Sequence, residues 1–166
     1  AIHLLSKTSI QTGDEVLIYG ASGSIGTMAV QLAKIAGANV TAVCSGKNVD
    51  LVKSLGSDRV FDYTLQGVEK QLSTYKYVLD AVGNSKSSIL KEKSKKALHV
   101  NGKYISIDTG VPKTPRSAFM QLKNYLAAGK IKPVIDRVFP LEKMAEAHDY
   151  VELGHKRGNV IISVSL

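Results

Sequence analysis

The chain has 166 residues, 44% of them apolar and 22% charged, close to the average for soluble globular proteins and enough for one domain with a sizeable core. No apolar run is long enough to span a bilayer, and the single cysteine, Cys44, excludes an internal disulfide and any multi-cysteine zinc site. Lysine and arginine outnumber aspartate and glutamate by 22 to 14, a net charge of +8. That charge fits a basic solvated surface or attraction of an anionic ligand such as a phosphorylated cofactor. It fits nucleic acid less well, because the basic residues are scattered and no aromatic-basic interleaving offers a stacking face.

The first seven residues lack the basic-then-apolar order of a signal peptide. A reducing, cytoplasmic setting is the expectation. No methionine opens the chain, so a cut start is expected as well. Residues 15–19, Glu-Val-Leu-Ile-Tyr, read as a short strand that ends at Gly20. A helix over 27–36 follows, and Gly37 breaks it. Residues 39–44 are the second strand, 49–55 an amphipathic helix closed by Gly56, and 59–63 the third strand. A fourth strand lies within 75–81, a helix over 87–98, and a fifth strand over 103–107. Several of these apolar runs do not alternate with polar residues, the pattern of strands buried on both faces.

The order β-α-β-α-β with short connections predicts an α/β fold, a doubly wound parallel sheet of the Rossmann kind. Residues 109–117 read as a loop interrupted by Gly110, Pro112, Lys113 and Pro115. A helix over 118–128, an extended segment over 133–139, a helix over 141–153 and a final strand over 159–164 complete the chain. The domain is expected to occupy 1–139, with 140–166 as a C-terminal helix and strand.

The glycine-rich stretch Gly20-Ala21-Ser22-Gly23-Ser24-Ile25-Gly26 sits straight after a strand and opens a helix. That is where a dinucleotide fingerprint needs to be. Gly23 and Gly26 match its last two glycines, and Ala21 stands in the place of the first. Bare backbone at Gly23 admits a pyrophosphate, and Gly26 admits close helix–strand packing. The N–H groups of Ser24 and Ile25, with the helix dipole, make an anion site, and the hydroxyls of Ser22 and Ser24 are further donors. A ligand-free tight turn and a flavin site are the alternatives.

NAD-selective domains place an acid roughly 20 residues past the glycines, at the end of the second strand. Here that place holds Ser45, Gly46, Lys47 and Asn48, with no acid before Asp50. A 2′-phosphate suits these residues better than a bare ribose hydroxyl, so NADPH is the expected cofactor. Tyr63 would reach the adenosine side. The plainer readings are a solvated lysine for Lys47, a helix cap for Asn48 and a sheet-packing aromatic for Tyr63. At the end of the fourth strand, Ala81, Val82 and Gly83 leave room for ribose and pyrophosphate, or simply form a strand-to-helix turn. Residues 107–109 are a weaker candidate for the nicotinamide end.

These pieces resemble the medium-chain dehydrogenase/reductase superfamily, in its zinc-free, quinone-oxidoreductase-like branch. The resemblance rests on 13–26, on 29–38, on Leu51-Val52-Lys53-Ser54-Leu55-Gly56-Ser57-Asp58 and Phe61-Asp62-Tyr63, on 79–83, on 128–137 and on Gly154-His155-Lys156-Arg157-Gly158-Asn159-Val160. It implies NADPH-dependent reduction of a quinone, enone or other carbonyl, with cofactor contacts at the glycine turn, Ser45, Lys47, Asn48 and Tyr63. Family members begin with a substrate domain that has no counterpart here, so a fragment is expected. The 107–118 stretch is short by roughly a strand and a helix, a region that supplies dimer contacts in the family, which puts a homodimer in doubt.

No catalytic residue stands out. His3, His99, His148 and His155 are dispersed, offer no metal cluster, and read as surface or partly packed side chains. Cys44 sits in a buried strand and is expected to be inert. A membrane or nucleic-acid partner is not expected. The functional alternatives are a non-catalytic NADPH-binding or sensing module and a plain scaffold domain.

Overall fold

The computed structural model describes residues 1–85, 88–110 and 115–164. Five strands, β1 (Glu15–Tyr19), β2 (Asn39–Cys44), β3 (Arg59–Asp62), β4 (Tyr75–Asp80) and β5 (Leu98–Ser106), form one sheet in the order β3-β2-β1-β4-β5. Every neighbouring pair in it is parallel. The central strand shows why. Val16, Leu17 and Ile18 are all fully buried, so both faces of β1 must be covered.

Alternation sorts the side chains onto two faces. Val16 and Ile18 join one core cluster with Val40, Ala42 and Leu79. Over that face lie α1 (Ile2–Leu5), α2 (Ser24–Ile35) and α3 (Val49–Ser54), through Leu4, Ala29, Val30, Ala33 and Val52. Leu17 and Tyr19 join the other cluster with Val43, Phe61 and Val78, covered by Leu90 of α4 (Ile89–Lys96) and by Val68. The expected doubly wound parallel sheet is therefore present.

Several boundaries differ from expectation. Helix α2 starts at Ser24 rather than 27, because Gly23 takes an extended N-cap conformation (φ −81, ψ −179) and the first turn follows at once. Strand β3 stops at Asp62, so Tyr63 lies just past it. Strand β5 starts at Leu98, within a stretch that reads as a helix end, and its register against β4 shifts between Tyr75 and Tyr77. Helix α1 was not foreseen; four residues are too few to show a period. The expected helix start at 87, and the 111–114 part of the 107–118 stretch with Pro112 and Lys113, lie outside the described residues.

The C-terminal part forms its own small layer. Strands β6 (Ile135–Pro140) and β7 (Asn159–Ser163) pair in parallel, joined through α6 (Met144–Glu152). The expected boundary after residue 139 thus falls inside β6. Helix α5 (Arg116–Ala127) precedes this layer and fully buries none of its residues. The layer is tied back to α2 by Gln31, which is 7% exposed. Its Oε1 accepts the Lys132 N–H at 2.8 Å and its Nε2 donates to the Lys132 carbonyl at 3.0 Å.

Gln31→Ala leaves both backbone groups of Lys132 unpaired. We expect it to lower stability by about 1–3 kcal/mol. Urea denaturation measures this, and an unchanged midpoint would contradict the tie.

Candidate functional site

At the carboxyl edge of the sheet, β1 runs into the glycine turn. The N–H groups of Gly20 and Ala21 both donate to the Val43 carbonyl, at 3.0 and 2.9 Å, locking the turn to β2. Gly20 takes φ +80, a left-handed step that glycine alone adopts freely. No described residue other than glycine has a positive φ. The conformational demand thus falls on Gly20, and alanine is tolerated at 21, where its methyl is buried in the core.

Gly26 answers a different demand. A Cβ there would meet the Gly20 carbonyl oxygen at 2.1 Å and Ala21 Cα at 2.6 Å. A Cβ on Gly23 would meet only the Gly20 oxygen at 3.5 Å, so glycine at 23 leaves an open outer face. No side chain caps α2 at Gly23. The first-turn N–H groups of Ser24, Ile25 and Gly26 therefore lack intrahelical partners at the positive end of the dipole. Ser24 offers only backbone, because its hydroxyl donates to Asn159 Oδ1. Ser22 keeps its hydroxyl proton, since its Oγ accepts from Asn48 Nδ2 at 3.1 Å.

Beside the turn opens a cavity of about 440 Å³. Ser22, Ser45, Gly46, Lys47, Asn48, Tyr63 and Thr64 form one side of it. Asn48 stands at the N-cap of α3 without capping it. Its Nδ2 bridges the hydroxyls of Ser22 and Ser45, both at 3.1 Å, and it is 5% exposed. Its Oδ1 has no hydrogen-bond partner among the described residues. Tyr63 is 48% exposed, so it faces the cavity rather than packing on the sheet.

Gly154, His155 and Lys156 complete its lining. The sequence placed neither side chain here: His155 reads there as a surface or partly packed histidine, and Lys156 only as part of a family-like ending. The loop is brought there by the Gly158 N–H, which donates to the Ser22 carbonyl at 2.9 Å. The Asp62 carboxylate was missed too. Its Oδ1 accepts from the Thr64 N–H and hydroxyl, at 2.9 and 2.7 Å, and its Oδ2 lies where a Gly46 Cβ would stand. It does not line the cavity, whose basic side chains are Lys47, His155 and Lys156, with no Asp or Glu.

On the far side of the glycine turn, Ala81, Val82 and Gly83 follow β4. The Ala81 N–H donates to the Tyr19 carbonyl at 2.9 Å. The N–H groups of Val82 and Gly83 both donate to Asp80 Oδ1, at 3.0 and 3.1 Å. Val82 packs on Gly20: a Cβ on Gly20 would meet Val82 Cγ2 at 2.4 Å. Asp108, at the weaker candidate site, accepts the Asn84 N–H at 2.6 Å and so braces the same loop.

Cys44 is buried at the end of β2. Burial, then the Asp62 carboxylate, push its thiol from 9.0 up to about 11. Among the described residues, no group of three or more His, Cys, Asp or Glu side chains is placed to hold a metal ion. No helix among them is long and apolar enough to cross a membrane.

A doubly wound parallel sheet with a glycine turn at its carboxyl edge defines a Rossmann-type domain. The pattern of the zinc-binding dehydrogenase family matches residues 24–130, and a second pattern of the same description matches 111–162. The chain belongs to this family, within the medium-chain dehydrogenase/reductase superfamily. It is 36% identical over 191 residues to a mitochondrial NAD(P)H oxidoreductase of Mus musculus, covering 92% of this chain and 48% of that protein. It is 32% identical over 171 residues to a chloroplastic NADPH-dependent alkenal/one oxidoreductase of Arabidopsis thaliana, covering 95% and 42%. The chain thus spans about half the length of the curated relatives it matches. The quinone oxidoreductase of Coxiella burnetii shares the fold, with a TM-score of 0.81 over 99% of this chain and 57% of that one, at 24% identity. The family's name implies zinc, and among the described residues no three His, Cys, Asp or Glu side chains are grouped to hold it.

Two outcomes follow from this geometry. Gly26→Ala must push the helix off the turn and is expected to cost about 1–3 kcal/mol in urea denaturation; a neutral result would mean the close approach is not needed. For Cys44, the raised value favours the neutral thiol in the folded chain. Its stability contribution is full below about 9 and fades as pH rises toward about 11. Iodoacetamide near neutral pH should therefore label Cys44 slowly in the folded chain and quickly in urea, and equal rates would refute its burial.

Proposed function

We propose that this chain is the cofactor-binding domain of a zinc-free oxidoreductase that uses NADPH to reduce a quinone, enone or other carbonyl compound. The single observation that carries the preference for NADPH is the cavity at the end of β2. Two lysines, a histidine and hydroxyl and amide donors line it, and no carboxylate does. A 2′-phosphate placed there meets donors and positive charge, whereas an NAD-type site would present an acid.

The residues present fit such a cofactor on three counts. The bare face of Gly23 and the uncapped start of α2 suit a pyrophosphate. Asn48 carries a buried, unpartnered amide oxygen. Its Nδ2 donates to the Ser22 and Ser45 hydroxyl oxygens, which leaves both hydroxyl protons to donate to a phosphate. Tyr63 is exposed beside it, where an adenine ring would lie. Ala81, Val82 and Gly83 border the groove beyond the pyrophosphate. The bound cofactor supplies the hydride; the chain's own residues bind it, orient it and neutralise its phosphates. The names of the relatives above, an NAD(P)H oxidoreductase and an alkenal/one oxidoreductase, support this substrate class. Those relatives have about twice this chain's length, and we assign to this chain the cofactor's half of the work.

Isothermal titration is the test. NADPH is expected to bind about tenfold tighter than NADH or better. Lys47→Ala and Lys156→Ala should each weaken NADPH while leaving NADH nearly unchanged, and added salt should narrow the gap. Equal or tighter NADH binding would sink the NADPH assignment, and binding of neither would sink the cofactor-domain assignment.

A further inference from the structure

The end of β4 holds a charge pair that the cavity beside β2 does not use. Lys91 of α4 meets Asp80 with Nζ 2.9 Å from Oδ2, and the two side chains are 4% and 1% exposed. Removing both charges from water is expensive, and an apolar pair of similar volume often fills such a space as stably or better. Fold stability alone gives little reason for the pair.

The contacts of the pair show what it fixes. Asp80 Oδ1 accepts the N–H groups of Val82 and Gly83, and Oδ2 accepts the Tyr104 hydroxyl at 2.5 Å. Burial and the Asp80 carboxylate hold the Tyr104 hydroxyl well above its ordinary value, so it stays a donor. Lys91 Nζ also donates to the Gly83 carbonyl. The same ammonium lies 5.8 Å from the centre of the Tyr19 ring. The Tyr19 hydroxyl meets Ser88 Oγ at 2.8 Å, and Ser88 Oγ accepts the Lys91 N–H at 3.1 Å. One side chain thus joins the residue before the glycine turn, the end of β4 and both ends of the 80–83 loop. Within that loop, Val82 packs on Gly20.

We propose that Lys91 is a positioning residue for the dinucleotide: through Asp80 and the Gly83 carbonyl it holds Val82 against Gly20 and shapes the groove beyond the pyrophosphate, where the nicotinamide half lies. This rests on the cofactor reading above. The cavity assigned above to the adenosine end is lined by no residue of the 80–83 loop. The two halves of the ligand therefore report separately.

The experiment compares Kd for NADPH with Kd for adenosine 2′,5′-bisphosphate, in the wild type, in Lys91→Met and in the double variant Asp80→Asn/Lys91→Met. The double variant removes the stranded carboxylate charge that the single one leaves. NADPH is expected to weaken about tenfold in both variants while the bisphosphate stays within about twofold. Parallel weakening of both ligands, or unchanged NADPH binding, overturns the proposal. Hydrogen exchange of the wild type gives an answer even if a variant does not fold. The Val82 and Gly83 amides should be slow in the free chain and slower still with NADPH, but not with the bisphosphate; fast exchange in the free chain overturns the lock. A wild type that binds neither ligand overturns the cofactor reading and this assignment with it. NADPH binding with no separation between the ligands overturns this assignment alone.

Discussion

Helix α2 lies so near the end of β1 that no Cβ fits between Gly26 and the Gly20 carbonyl. The rest of the carboxyl edge is arranged around that approach. Because the helix starts so early, its open N–H groups stand at the strand end and not a turn further on. Because the turn is that tight, a left-handed step is needed, and Gly20 supplies it. The same tightness brings Val82 onto Gly20 from β4, while the Val43 carbonyl holds the turn to β2. One steric limit therefore sets the shape of the groove on both sides.

Much of this was legible in the sequence, for definite reasons. Val16, Leu17 and Ile18 form a run with no polar break, which only a strand covered on both faces satisfies. The glycines announce themselves because their constraint is local, within seven residues of chain. What escaped is what depends on distant partners. His155 and Lys156 reach the cavity only because the chain returns after α6 and the Gly158 N–H finds Ser22. Lys91 reads as one lysine among several on a polar helix, and nothing local reveals that Asp80 waits beneath it. Strand β5 begins early because Leu98 pairs with Tyr75 across a register shift, a matter of pairing and not of propensity. Asn48 sits where a cap belongs, yet its amide spans two serines instead.

The positive charge is distributed with similar economy. Lys34 is taken up by Asp58 at 2.8 Å and Lys76 by Asp14 at 2.9 Å, on the outside of the sheet. The first of these is an exposed pair and contributes little to stability. Lys47 has no ion pair among the described residues, and Lys156 spends one donor on the Gly158 carbonyl at 2.8 Å and keeps two. Two of the cations outside these ion pairs, Lys47 and Lys156, stand at the cavity, where an anion would meet them.

The Gly158–Ser22 hydrogen bond has a thermodynamic side. It joins the β6–β7 layer to the backbone of the glycine turn. If the proposed ligand at the turn favours that contact, linkage requires that the contact favour the ligand by the same factor. A load on the strand pair that breaks the bond would then weaken the ligand, through the population of one backbone contact.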